Sequence, residues 1–132
     1  MGLLAPVNAL TIYRGASKTL ELTVNKANVF DEDGKPVPVV LQSVKLLFSV
    51  KCFASEQPAI IQKTTDAPAE ITITAPYAGK AKIFLLPADT QRLDPGVYTY
   101  DVWLYFVLTG QRYIIVEPST FEIKLPVSFS PL

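Results

Sequence analysis

The stretch Gly96-Val97-Tyr98-Thr99-Tyr100-Asp101-Val102-Trp103-Leu104-Tyr105-Phe106-Val107-Leu108 decides the fold. Tyr98, Tyr100, Val102, Leu104 and Phe106 recur at every second position, the repeat that puts side chains on one face of a strand. Its aromatic and β-branched residues favour a strand as well. The pattern predicts a long strand over Val97 to Leu108, entered through the turn Pro95-Gly96 and reversed by Thr109-Gly110-Gln111 into Arg112 to Val116.

The same repeat returns on both sides of it. Lys18 to Val24 sets Leu20, Leu22 and Val24 against Thr19, Glu21 and Thr23, and Val44 to Lys51 sets Val44, Leu46, Phe48 and Val50 inward. Shorter strands are expected at Leu10 to Tyr13, Ala59 to Thr64, Glu70 to Thr74 with Ile71 and Ile73 inward, and Ala81 to Leu85. A last one runs Thr120 to Leu125, with Phe121, Ile123 and Leu125 on one side. Turns are expected at Arg14-Gly15-Ala16-Ser17, Asp31-Glu32-Asp33-Gly34-Lys35-Pro36 and Tyr77-Ala78-Gly79-Lys80. Pro87 to Leu93 suits a single helical turn, because proline is pre-set for a first helical position. About eight short strands separated by such turns predict an all-β, two-sheet antiparallel sandwich. Composition agrees: Val, Ile and Thr number 33 and the aromatics 14, so 47 of 132 residues favour strands.

Composition also excludes chemistry. The 12 basic and 12 acidic residues cancel, without blocks of like charge. That argues against a nucleic-acid partner held through phosphates and against a polybasic membrane surface. With no histidine, imidazole bases, Ser-His-Asp triads and His-ligated metals are absent by count. The single cysteine, Cys52, forms no internal disulfide and is expected to be a buried or half-buried inert thiol. No cofactor, metal or catalytic residue is therefore expected. Met1 to Val7 has no basic segment and is broken by Pro6, so no secretory signal is expected. The apolar run Val102 to Leu108 is too short to span a bilayer. The chain divides into an N-terminal arm (1–9), a sandwich domain (10–125) and a C-terminal tail (126–132) that is expected to order against a neighbour.

Three polar features fit a plain structural role. Asp31, Glu32 and Asp33 lack the alternating ligands of a calcium loop and fit a solvated hairpin turn. Asp89 fits a residue capping its turn through backbone N–H groups, rather than an acid–base partner for Asp94. Asp101, in mid-strand, points away from the Tyr98 face, exposed or paired with a cross-strand Lys or Arg.

Strict alternation fixes a second face. With Leu46, Phe48 and Ile83 inward, Leu47 and Phe84 point outward; Trp103 and Tyr105 likewise lie opposite Tyr98, Tyr100, Val102 and Leu104. Outward Leu, Phe, Trp and Tyr exceed the scattered apolar surface of a monomer, so Leu47, Phe84, Trp103 and Tyr105 are the candidate interface. The aromatic set could also stack on sugar rings, although polar groups to fix a sugar are not concentrated there.

The order of the motifs carries a resemblance. Arg14-Gly15-x-Ser17 follows the opening strand, and Asp33-Gly34-Lys35-Pro36-Val37 precedes the strand Val44 to Val50. Gly79-Lys80, Leu86-Pro87-Ala88-Asp89-Thr90 and Leu93-x-Pro95-Gly96-x-Tyr98-x-Tyr100-Asp101-Val102 then follow. From Leu10 to Leu125 the chain resembles the immunoglobulin-like domain of tailed-bacteriophage structural proteins, similar to the N-terminal domain of the baseplate upper protein family. It departs from them at Ala16, where such domains often carry an acidic residue, and at Leu41-Gln42-Ser43, where they often carry Leu-x-Gly. The resemblance implies an immunoglobulin-like sandwich of about seven to nine strands and a non-enzymatic virion role in tail, baseplate, neck or head surface. Its expected partners are other phage structural proteins and copies of itself, within a virion assembled in the host cytoplasm. The alternative is a module that binds a host-surface glycan or protein.

Overall fold

The computed structural model describes residues 3–4, 9–52 and 58–127. Among them the strands are β1 (Leu3–Leu4), β2 (Leu10–Tyr13), β3 (Lys18–Thr23), β4 (Asn25–Phe30), β5 (Pro36–Pro38), β6 (Val44–Lys51), β7 (Ile61–Thr64), β8 (Ile71–Ala75), β9 (Lys80–Leu85), β10 (Gly96–Phe106) and β11 (Arg112–Lys124). One short helix, α1 (Pro87–Thr90), and a 3-10 turn at Pro76–Ala78 complete the set. The chain is all-β and sandwich-like. A five-stranded sheet in the order β2-β11-β10-β6-β7 and a three-stranded sheet in the order β3-β9-β8 share one core, and β1-β4-β5 forms a small third sheet.

Alternation places the core where the period-2 repeat expects it. Leu20 and Leu22 of one sheet, with Val24 just past the end of β3, share the core with Val44, Leu46, Phe48 and Val50 of the other, all buried. At the centre Phe48, Tyr100 and Phe121 form a ring cluster with centroids 5.6–6.3 Å apart in tilted and edge-on contacts, arrangements that suit the ring quadrupole. Burial pushes the Tyr100 hydroxyl up to about 12, because the phenolate would lose its water.

Several expected boundaries shift. Arg112–Val116 and Thr120–Leu125 merge into the thirteen-residue β11, which outruns β10. The join passes Pro118 at an irregularity opposite Asp101, where the register steps from Tyr100↔Ser119 to Val102↔Val116; a bulge is where a strand tolerates proline. β10 stops at Phe106, so Val107 and Leu108 enter the turn and are exposed. Leu125 falls past the end of β11 and is also exposed. β2 departs from the antiparallel scheme by running parallel to β11. It leads through the Gly15 turn into β3 on the opposite sheet and so meets β11 without a hairpin. The Gly15 N–H there donates to the hydroxyl of buried Thr90 at 2.9 Å.

The hairpin β4–β5 flanks the Asp31–Lys35 turn. Its strands escape a period-2 reading because Asn25 to Phe30 does not alternate and Asn28 takes a positive φ of 58°. At the turn, Asp31 Oδ1 accepts from the backbone N–H groups of Asp33 and Lys35, both at 2.9 Å. Leu3 and Leu4, within the expected arm, pair with β4. Residues 128–132 of the expected tail lie outside the described residues; Val127 is fully exposed.

Candidate functional site

Register, more than parity, assembles the outer face of the five-stranded sheet. Trp103 stands on β10 between Ile114 of β11 and Leu47 of β6, and Leu47 in turn faces Thr64 of β7. One step along, Tyr105 lies between Arg112 and Lys45. The row Ile114–Trp103–Leu47–Thr64 thus crosses four strands and the row Arg112–Tyr105–Lys45 three. They border a groove of about 400 Å³. Three of the four candidate interface residues, Leu47, Trp103 and Tyr105, line it together. Phe84 does not: it sits on β9 opposite Thr19, on the outer face of the other sheet.

The side chains are held in distinct ways. Trp103 is 38% exposed, and its indole Nε1–H donates to Asp101 Oδ2 at 3.3 Å. Asp101 therefore lies half-buried on the same face, with its carboxylate against the indole edge. The Arg112 guanidinium lies over the Tyr105 ring at 5.2 Å from the centroid, a cation–π contact. Lys45 pairs with Asp66 at 3.2 Å, both well exposed. Arg112 and Lys45 are the residues that sequence parity overlooks. The placement of Arg112 on Tyr105 depends on how the Thr109-Gly110-Gln111 turn sets the β10–β11 register, and that of Lys45 on the separate β6–β10 register. A second groove of about 480 Å³ opens beside Lys45 at the end of the sandwich, between Ile71–Ile73 and Val107–Leu108.

The remaining polar residues serve the fold. Asp89 Oδ2 accepts from the Leu86 N–H at 2.7 Å, the expected cap, and also pairs with Lys63 at 2.8 Å. Asp94 contributes its backbone carbonyl, which accepts from the Tyr98 hydroxyl at 2.6 Å. Tyr98 is held above the usual tyrosine range by burial first, then by the nearby Cys52 and Asp94 charges. Cys52 corrects the expectation of a buried thiol: it lies one residue past β6, at the sheet rim, and is exposed. Among the described residues no three acidic or cysteine side chains group to hold a metal ion.

The groove therefore offers apolar walls, one stacked guanidinium and the Lys45 ammonium. A scan of protein-family models and a search of curated proteins return no match to the chain.

Proposed function

We propose that the chain is a non-enzymatic bacteriophage virion component, acting through protein–protein contacts made by the outer face of its five-stranded sheet. The observation that carries this reading is Trp103, more than a third exposed beside Leu47 and Tyr105 in one groove. An exposed tryptophan beside a half-buried tyrosine and an arginine has the composition of an interface core. The phage setting rests on the order of turn motifs from Arg14 to Val102.

The same proposal includes an immunoglobulin-like arrangement. Lettered in chain order, with the β4–β5 hairpin as an insertion, the sheets read B-E-D against A-G-F-C-C′. The variable-type immunoglobulin sandwich likewise extends its G-F-C sheet with C′.

A host-surface glycan-binding module is the second reading, favoured by Trp103 lying between the polar groups of Asp101 and Arg112. Sedimentation velocity and a glycan array on the full chain separate the two. Concentration-dependent self-association with a blank array is expected. A monomer that gives saccharide signal abolished by Trp103→Ala would replace the first reading with the second.

A further inference from the structure

We propose that the Trp103 groove receives the tip of the β4–β5 hairpin from a second copy of this chain. The inference rests on the outer face being a protein contact surface, and it names the occupant. The groove pairs apolar walls, Leu47 and Trp103, with the Arg112 guanidinium. Among the described residues Arg112 faces no carboxylate at ion-pair distance; its charge is met only by the Tyr105 ring. An occupant that brings an apolar side chain next to an acidic group would complement both features.

The hairpin tip has that composition. Phe30 is 61% exposed and Val29 40% exposed, immediately before Asp31-Glu32-Asp33, all exposed. Asp31 spends its carboxylate on the turn's own N–H groups. Glu32 and Asp33 make no ion pair among the described residues. With Lys35 counted, the turn still carries two net negative charges (three acidic residues, one lysine). Its backbone is fixed by the Asp31 N–H to Lys35 carbonyl bond at 2.9 Å, so little further ordering is required on docking. The groove volume lies within the roughly 300–1,000 Å³ range of small-ligand pockets, enough for one aromatic ring and its neighbour. Phe30 would enter beside Leu47 and Trp103, with Glu32 or Asp33 on Arg112. Tip and groove are different surfaces, so the contact is head-to-tail and generates a ring or a filament.

The test uses two full-length variants, one disabled in the groove (Arg112→Glu) and one disabled at the tip (Glu32→Lys with Asp33→Lys). All three positions are exposed, and thermal melts check that folding is kept. Each variant alone should self-associate at least roughly tenfold more weakly than the unaltered chain, the scale of a close charge pair lost. Mixed, they should form a one-to-one complex, because one retains a sound tip and the other a sound groove. A mixture that stays monomeric overturns the proposal. If the tip variant associates normally while Trp103→Ser does not, the hairpin is the wrong occupant and the contact face stands. An unaltered chain that is monomeric at every concentration also overturns the proposal, and leaves the face only for a different protein.

Discussion

Lys63 Nζ lies 2.8 Å from Asp89 Oδ2, with the lysine side chain only 7% exposed. Lys63 pairs with Phe48 across β7–β6, so this cation points into the sandwich from the edge strand. An inward charge on an edge strand discourages a further strand from adding there. Its partner arrives from α1, which ties the edge of one sheet to the loop following β9.

Removing Asp89 should therefore be costly. Asp89→Ala leaves Lys63 buried without its counter-ion and deletes the acceptor for the Leu86 N–H. We expect a loss of about 3–5 kcal/mol, the scale for breaking a buried pair, read from urea unfolding. Replacing both residues together (Lys63→Met with Asp89→Leu) should cost much less than Asp89→Ala alone.

Phe48→Ala should cost roughly 3–5 kcal/mol, since the ring is fully buried against Tyr100 and Phe121. Leu47→Ala, one position along on the outer face, should cost distinctly less in the isolated chain. Equal losses in urea unfolding would contradict the assignment of faces.

These two neighbours mark how far the sequence can be read. Period 2 places Phe48 inward and Leu47 outward without any structure, because the alternation runs unbroken from Val44 to Val50. It cannot say that Leu47 meets Trp103, or that Phe84 lies on the other sheet, since cross-strand register depends on turns between distant segments. Lys63 was illegible for a related reason: charge suggests an outward position, and only pairing with Phe48 and a partner from α1 makes the inward one tenable. The β4–β5 strands hid behind a non-alternating sequence bent at Asn28. Sequence alone divides β11, because Pro118 mimics a strand end until a bulge accommodates it.

Gly79 should be intolerant of any side chain. Its φ is +68°, and an added Cβ would run into the Val24 carbonyl oxygen, which lies close because Val24 N–H donates to the Gly79 carbonyl at 2.8 Å. Gly110 has a similar φ of +76° but open space. Gly79→Ala should therefore lose at least about 2 kcal/mol, and Gly110→Ala nearer 1, the strain of the backbone alone. Thermal melts of the two variants check the order.

Alkaline stability should follow the buried phenols. Tyr100, at about 12 in the fold, and Tyr98, also raised, keep their protons where an unfolded chain would release them near 10. Their contribution is complete below pH 10 and is lost as pH rises from 10 toward 12, because there the unfolded state binds fewer protons. The urea midpoint should fall over that window, and Tyr100→Phe should flatten the fall. A midpoint that rises with pH would contradict it.

Trp103 is the only tryptophan in the chain, so its fluorescence reports directly on whether the outer face is a contact surface. The decisive measurement is acrylamide quenching of the full chain over increasing protein concentration. The account predicts that the quenching constant falls and the emission shifts to shorter wavelength as copies associate. Arg112→Glu should move that change to protein concentrations at least roughly tenfold higher. Quenching that stays constant while light scattering shows the chain associating would place the contact elsewhere and contradict the account.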